Sequence, residues 1–299
     1  MPDGCFNYKF SKDNLWHVFD EFHLFAMRME FLTDNTVKFI SNEFKNIDEY
    51  DEQLKHFIEN NQESFKNTCP EDLSTELRCG VLVDLRLDNP VPFPRNLLSS
   101  SSRDKRSFLV EYENNVLSWA LVWVYEQYEF FLKRVYIICQ NEHEILSQDD
   151  ISSILRNSKL GLNKIHKFLI SNFGDISQFE NHNSFTGNNY YWYIVFLEKI
   201  RHIIVHNQGY INDISSFRNS LIQSVGLKGN SAFEAFIGKM ISFYTKPDEK
   251  TSSRFVVRLS TRNIEQVCIC PASKKVNNLM QLLPNHALLI VNCIISHIE

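Results

Sequence analysis

Tyr190-Tyr-Trp-Tyr-Ile-Val-Phe-Leu-Glu-Lys-Ile-Arg-His-Ile-Ile-Val-His-Asn-Gln-Gly209 is the stretch on which the fold turns. Tyr193, Leu197, Ile200 and Ile204 fall at i, i+4, i+7 and i+11, the spacing of one buried stripe on a helix. The spacing predicts a helix over 190–206. Asn207 and Gly209 supply its end, since both tolerate left-handed backbone geometry. Arg201, His202 and His206 therefore sit in its last turns.

Upstream, a long helix is expected over 105–140. Val116, Trp119, Ala120, Trp123, Gln127, Phe130 and Arg134 line one side, and Leu117, Leu121, Val124, Tyr128 and Phe131 the next. Its middle is apolar nearly all round, so several partners must cover it. Shorter helices are expected over 146–155 and 160–173, followed by a polar loop over 174–189. Downstream, helices are expected over 212–225 and 231–244. The β-prone runs Arg254-Phe-Val-Val-Arg-Leu259 and Glu265-Gln-Val-Cys-Ile-Cys270 flank Ser260-Thr-Arg-Asn263 and predict a hairpin. A last helix over 275–298 carries Pro284, which bends or interrupts it.

On the N-terminal side, Leu15, Phe19, Phe22 and Met27 predict an amphipathic helix over 13–31. A second is expected over 35–60, with Val37, Phe39, Ile40 and Phe44 leading and Leu54, Phe57 and Ile58 following. Residues 69–87 read either as a short helix opened by Pro70 or as a strand from Gly80. The prolines of Asn89-Pro-Val-Pro-Phe-Pro94 cannot continue a helix, and Ser99 to Ser102 adds a polar joint, so a domain boundary is placed there. The resulting division is an N-terminal helical region (1–100), a helical bundle (101–245) and a C-terminal hairpin plus helix (246–299). The fold class is mostly all-α.

With 43% hydrophobic residues, 22% charged residues, 9 Gly and 8 Pro in 299, the composition is that of a folded, mostly helical chain. A net charge of -5 excludes a protein that coats nucleic acid with a basic surface, so any RNA contact must be local. The start MPDGCFNYKFSKD lacks the order of a secretory signal. The most apolar stretches, 116–139 and 286–298, are interrupted by Glu126, Gln127 and Glu129 or are too short for a bilayer. A soluble cytoplasmic protein without a membrane partner is the expectation.

Seven cysteines are an odd, scattered set and are read as reduced. Cys268 and Cys270 lack a second Cys or His pair at finger spacing, so they are read as structural filler. His143 and His182 are read as solvent-exposed loop residues. The run Tyr190 to Tyr193 suits core or interface packing better than base stacking. There is no H-E-x-x-H and no phosphate-cradling glycine motif, so neither a metal nor a cofactor is expected.

Within Glu198-Lys-Ile-Arg-His-Ile-Ile-Val-His-Asn-Gln-Gly209, an Arg is followed by a polar residue, three apolar residues and a His. This R-polar-x3-H pattern, matched by Arg201, His202 and His206, resembles the HEPN superfamily. That family includes toxin ribonucleases, anti-phage abortive-infection proteins and RNA-cleaving CRISPR effectors. His206-Asn207 followed by Gly209 is similar to family members as well. Trp123-Val-Tyr-Glu-Gln-Tyr-Glu-Phe-Phe-Leu-Lys133 resembles the acidic, aromatic long helix that opens the family's bundle, with Glu126 or Glu129 as the acidic counterpart. The resemblance covers about residues 103 to 245.

What the resemblance implies is a metal-independent endoribonuclease of antiviral defence or a toxin-antitoxin system, leaving a 2',3'-cyclic phosphate and a 5'-hydroxyl. The residue types suit that chemistry. Histidine, with an ordinary pKa near 6.5, both takes and gives protons near neutrality. Arginine is permanently charged and grips phosphate oxygens with parallel donors. Arg201 is thus expected to hold the phosphate and His206 to act as general base or acid, with His202, Asn207 and Glu126 in support. Five helical residues advance by roughly 500°, so Arg201 and His206 project about 140° apart. Two features relieve this: the helix is expected to loosen near Asn207, and the family places two copies of the motif across a dimer interface, which implies a homodimer with a composite site. Lys199, Lys133 and Arg134 are expected to help make a local positive cleft. The partners expected are the RNA substrate, a second copy, and an antitoxin or defence partner. The alternative is a catalytically inactive HEPN module that binds RNA, a nucleotide or a protein partner as sensor or scaffold.

Overall fold

The computed structural model describes residues 8–60, 81–83, 92–94, 102–142, 146–156, 160–181, 189–226, 229–248, 251, 253–260 and 274–298. Helix accounts for 82% of what is described, so the chain is mostly all-α with a small strand region. The helices are α1 (Lys12–Asn60), α2 (Ser102–Gln140), α3 (Gln148–Arg156), α4 (Leu162–Asn172), α5 (Asp175–Asn181), α6 (Tyr190–Asn207), α7 (Ile214–Val225), α8 (Ser231–Tyr244) and α9 (Lys274–Ile295). The strands are β1 (Val81–Val83), β2 (Pro92–Pro94), β3 (Tyr210–Ile211), β4 (Thr245–Pro247) and β5 (Phe255–Val257).

Residues group into two compact units, one of 1–33, 117–259 and 274–299 and the other of 34–116 and 260–273. This partition is interleaved along the chain, whereas the sequence reading was of three consecutive regions. Residues of α1 and of α2 contribute to both units.

The two helices expected over 13–31 and 35–60 are one continuous helix, α1. No Gly or Pro lies between Lys12 and Asn60, and the Thr33 hydroxyl bonds back to the Glu30 carbonyl at 2.8 Å, so the polar residues at 33–35 do not break the ladder. The i, i+4 pairs His17–Glu21, Lys45–Glu49 and Lys55–Glu59 dress its wet face. Met27 is exposed rather than part of the buried stripe.

In the larger unit, the core is built by Leu15, Val18 and Phe22 of α1, by the middle of α2, by α6 and by α9. Phe22 stacks on Phe131 with ring centroids 5.5 Å apart. Leu117, Leu121, Val124, Tyr128 and Phe131 are buried as expected. Trp119 and Trp123, expected in a covered face, are each 48% exposed. Pro284 lies inside an unbroken α9, whose Leu279, Leu283, Ala287, Ile290, Val291 and Ile294 are buried. Residues 275–295 are long and apolar enough to cross a bilayer by length and composition, yet 61% of the apolar window is packed inside the protein.

The loop expected over 174–189 contains the short helix α5, with Ile176 and Glu180 buried. The β-prone run at 254–259 does form a strand, but β5 is the centre of a three-stranded antiparallel sheet, with β3 and β4 on its two sides. Tyr210 lies opposite Val256, and Thr245 opposite Val257. Local pattern could not show these partners, because both come from elsewhere in the chain. The second arm of the expected hairpin, 265–270 with Cys268 and Cys270, lies outside the described residues, as do His143 and His182.

In the smaller unit, Ile40 and Phe44 pack with Val110, flanked by Leu109. Arg106 is held by Asp48 and, at 3.4 Å, by Asp51. The Ser260 hydroxyl donates to Glu113, and the Ser260 amide donates to the Asn114 side chain. β1 and β2 pair antiparallel, Leu82 opposite Phe93, which favours the strand alternative for residues after Gly80. Pro92–Pro94 forms one arm of this two-stranded pair; among the described residues no third strand lies beside it, so the missing proline amides break no ladder there. The side chains of Leu54, Phe57 and Ile58 lie outside the described residues.

Candidate functional site

α6 starts where the Asn189 side chain accepts from the Trp192 amide and ends where the chain turns left-handed. The turn falls one residue later than the sequence suggested. Asn207 is still helical, and Gln208, with φ of 53°, is the one positive-φ residue other than glycine among those described. Gly209 follows at φ 81°, where any side chain would be strained. The amides of Gln208 and Gly209 both donate to the Ile203 carbonyl, and the Val257 amide donates to the Gly209 carbonyl at 2.9 Å. The small sheet thus pins the helix end that carries the motif.

Leu197, Ile200 and Ile204 anchor α6 in the core, and Tyr193 is half-buried. That anchoring leaves His202, His206 and Asn207 exposed and Arg201 half-buried. The rings of His202 and His206 lie 4.5 Å apart, one helical turn from each other. Arg201 Nη2 donates to Glu126 Oε1 of α2 at 2.8 Å. The buried Arg201 Nε–H has no hydrogen-bond partner among the described residues.

Both acidic candidates on α2 are now distinguishable. Glu129 pairs with Lys133 at 3.4 Å one turn along its own helix, and Glu126 takes Arg201. Lys133 and Arg134 do not join a positive cleft. Both are buried, Lys133 beside Glu129 and Arg134 with its guanidinium on Glu21. Lys199 stays close enough to His202 to act on its charge.

The electrostatics of the helix end follow from this crowd of cations. Partial burial, then the positive fields of His206, Lys199 and Arg201, lower the pKa of His202. Its neutral form is favoured. Glu198, one turn before Arg201 and half-buried, has its pKa raised, chiefly by burial, with Glu129 adding to the rise and Lys199 and Arg201 opposing it.

Sequence reasoning missed a second constellation. His166 of α4, Glu180 of α5 and His286 of α9 are all buried and meet at one point. Glu180 Oε1 lies 2.8 Å from His166 Nε2 and 2.7 Å from His286 Nε2. Tyr128 Oη lies 2.5 Å from His286 Nδ1, and the Tyr191 ring stacks on His166 at 3.8 Å, nearly parallel. Burial opposes ionisation of Glu180, but the hydrogen bonds and charges of the two histidines outweigh it and hold the carboxyl down to about 2. No local signal marks this group, because its members stand far apart in sequence and Glu180 falls where a loop was expected.

Set against known proteins, the chain matches no family model, no curated protein and no solved structure.

Proposed function

We propose that the chain is a metal-independent endoribonuclease of HEPN type, working as a homodimer in the cytoplasm, in antiviral defence or as a toxin. The observation that carries this reading is the juxtaposition of Arg201, fixed by Glu126 from a second helix, with the exposed His202 and His206 at one pinned helix end.

In the proposed reaction an imidazole, His206, takes the proton from a ribose 2'-hydroxyl as that oxygen attacks the adjacent phosphorus. The bond from phosphorus to the 5'-oxygen breaks, and an imidazolium returns a proton to that oxygen. The products are a 2',3'-cyclic phosphate and a 5'-hydroxyl. Arg201 steadies the charge on the phosphorane. His202, favoured neutral, and Asn207 position the substrate. Since Arg201 and His206 diverge on one helix, a second copy completes the set.

One observation favours the rival reading of an inactive binding module: Glu126 already offsets the charge of Arg201. Cleavage of mixed cellular RNA by the full chain, with 2',3'-cyclic termini detected, decides between them. If wild type and His206→Ala are equally inert, the nuclease reading fails.

A further inference from the structure

We infer that His166, Glu180 and His286 bind one divalent transition metal of the zinc class, as a structural ion that ties α4, α5 and α9 together. The site is independent of the nuclease reading. Its three donor atoms lie within 4.8 Å of one another, the one such group among the described residues. Two imidazole nitrogens and one carboxylate oxygen are a donor set that suits zinc and its neighbours.

Both Nε2 atoms face the same carboxylate oxygen at 2.7–2.8 Å. Donors on a tetrahedral ion with bonds of about 2.0–2.1 Å stand roughly 3.3 Å apart, so the two carboxylate-to-imidazole spacings need to open by about half an ångström while the imidazole nitrogens, in a group spanning up to 4.8 Å, draw closer together. Ligands that come from three separate helices can make that adjustment by side-chain rotation.

The surroundings also suit ligation. With a metal on Nε2, His286 carries its proton on Nδ1 and donates it to Tyr128 Oη, the outer hydrogen bond that usually fixes a ligating imidazole. The parallel stack on Tyr191 fixes the plane of His166. Burial of all three ligands keeps the ion away from any substrate, which argues for a structural role, although three protein ligands plus a water is the count more usual at catalytic zinc.

The test uses the full chain, stripped with a chelator and then titrated with Zn²⁺ and, separately, Co²⁺. The expected result is one tightly held zinc per chain, a raised melting temperature, and cobalt absorption bands of a nitrogen and oxygen site of low coordination number. Glu180→Gln should weaken zinc binding at least tenfold, whereas His206→Ala should retain it. Two results overturn the inference. One is wild-type protein that holds no zinc and shows only the spectrum of aqueous cobalt, which needs no variant to read. The other is an equivalent of zinc that survives Glu180→Gln and is lost in His206→Ala, since the exposed His202–His206 pair is then the ligand.

Discussion

Arg201 of α6 reaches across to Glu126 of α2, Nη2 to Oε1 at 2.8 Å, and this contact fixes the guanidinium between the two helices. The pair is 27% and 44% exposed, so its worth to stability is less than about 1 kcal/mol. Its value is in orientation. Glu126→Gln should therefore leave urea denaturation nearly unchanged and lower RNA cleavage. A large loss of stability, or cleavage equal to wild type, would count against a positioning role.

On the proposed nuclease reading, loss of His206 or Arg201 should be far more costly. His206→Ala would then remove the general base and should slow cleavage by about 10²–10⁴-fold. Arg201→Ala would remove transition-state charge stabilisation and should cost roughly 10²–10³-fold. Circular dichroism checks that both variants fold, and growth arrest on expression, abolished by Arg201→Ala, would favour the toxin form.

Protonation of His202 can be followed by NMR titration. Its midpoint should lie below 6.5, because partial burial and then His206, Lys199 and Arg201 disfavour the cation. The sign for stability follows. A lowered folded pKa contributes stability that is present above the unfolded value near 6.5 and lost as pH falls through the folded one. His206→Ala removes one of the opposing fields, so the His202 midpoint should rise in that variant. A midpoint above 6.5 in the wild type would contradict the arrangement.

Trp119 and Trp123 stand half exposed on the face of α2 that carries Glu126 one turn further on. If the proposed composite site forms from two copies, these large exposed aromatics are the surface that the second copy should cover. Light scattering should give a dimer, and Trp119→Lys with Trp123→Lys should yield a monomer that no longer cuts RNA. A wild-type monomer that cleaves would refute the composite site.

Tyr128→Phe should destabilise the larger unit by about 1–3 kcal/mol, since it leaves buried His286 Nδ1 without the hydroxyl 2.5 Å away. Chemical denaturation measures it. A neutral effect would show that the hydroxyl is not needed there.

Helices were legible wherever the signal was local. The stripe through Leu197, Ile200 and Ile204 marked α6 within a residue of its observed end, and the apolar length of α2 was plain. α1 reads from its apolar spacing as two helices, over 13–31 and 35–60, although no Gly or Pro between them interrupts the ladder. The candidate residues Arg201, His202, His206 and Asn207 come from one helix, so the exposure of His202, His206 and Asn207 on its last turns follows from the same periodicity, whereas Arg201 is half-buried.

By itself, the order of residues determined the helical class, the end of α6 and the cluster of cations there, since each depends on neighbours within a few turns. Only the tertiary structure chose Glu126 over Glu129 for Arg201, buried Lys133 and Arg134, placed β5 between β3 and β4, and gathered His166, Glu180 and His286 around one point. Those outcomes depend on side chains tens to more than a hundred residues apart meeting in a packed interior, where burial rather than spacing decides which charges pair.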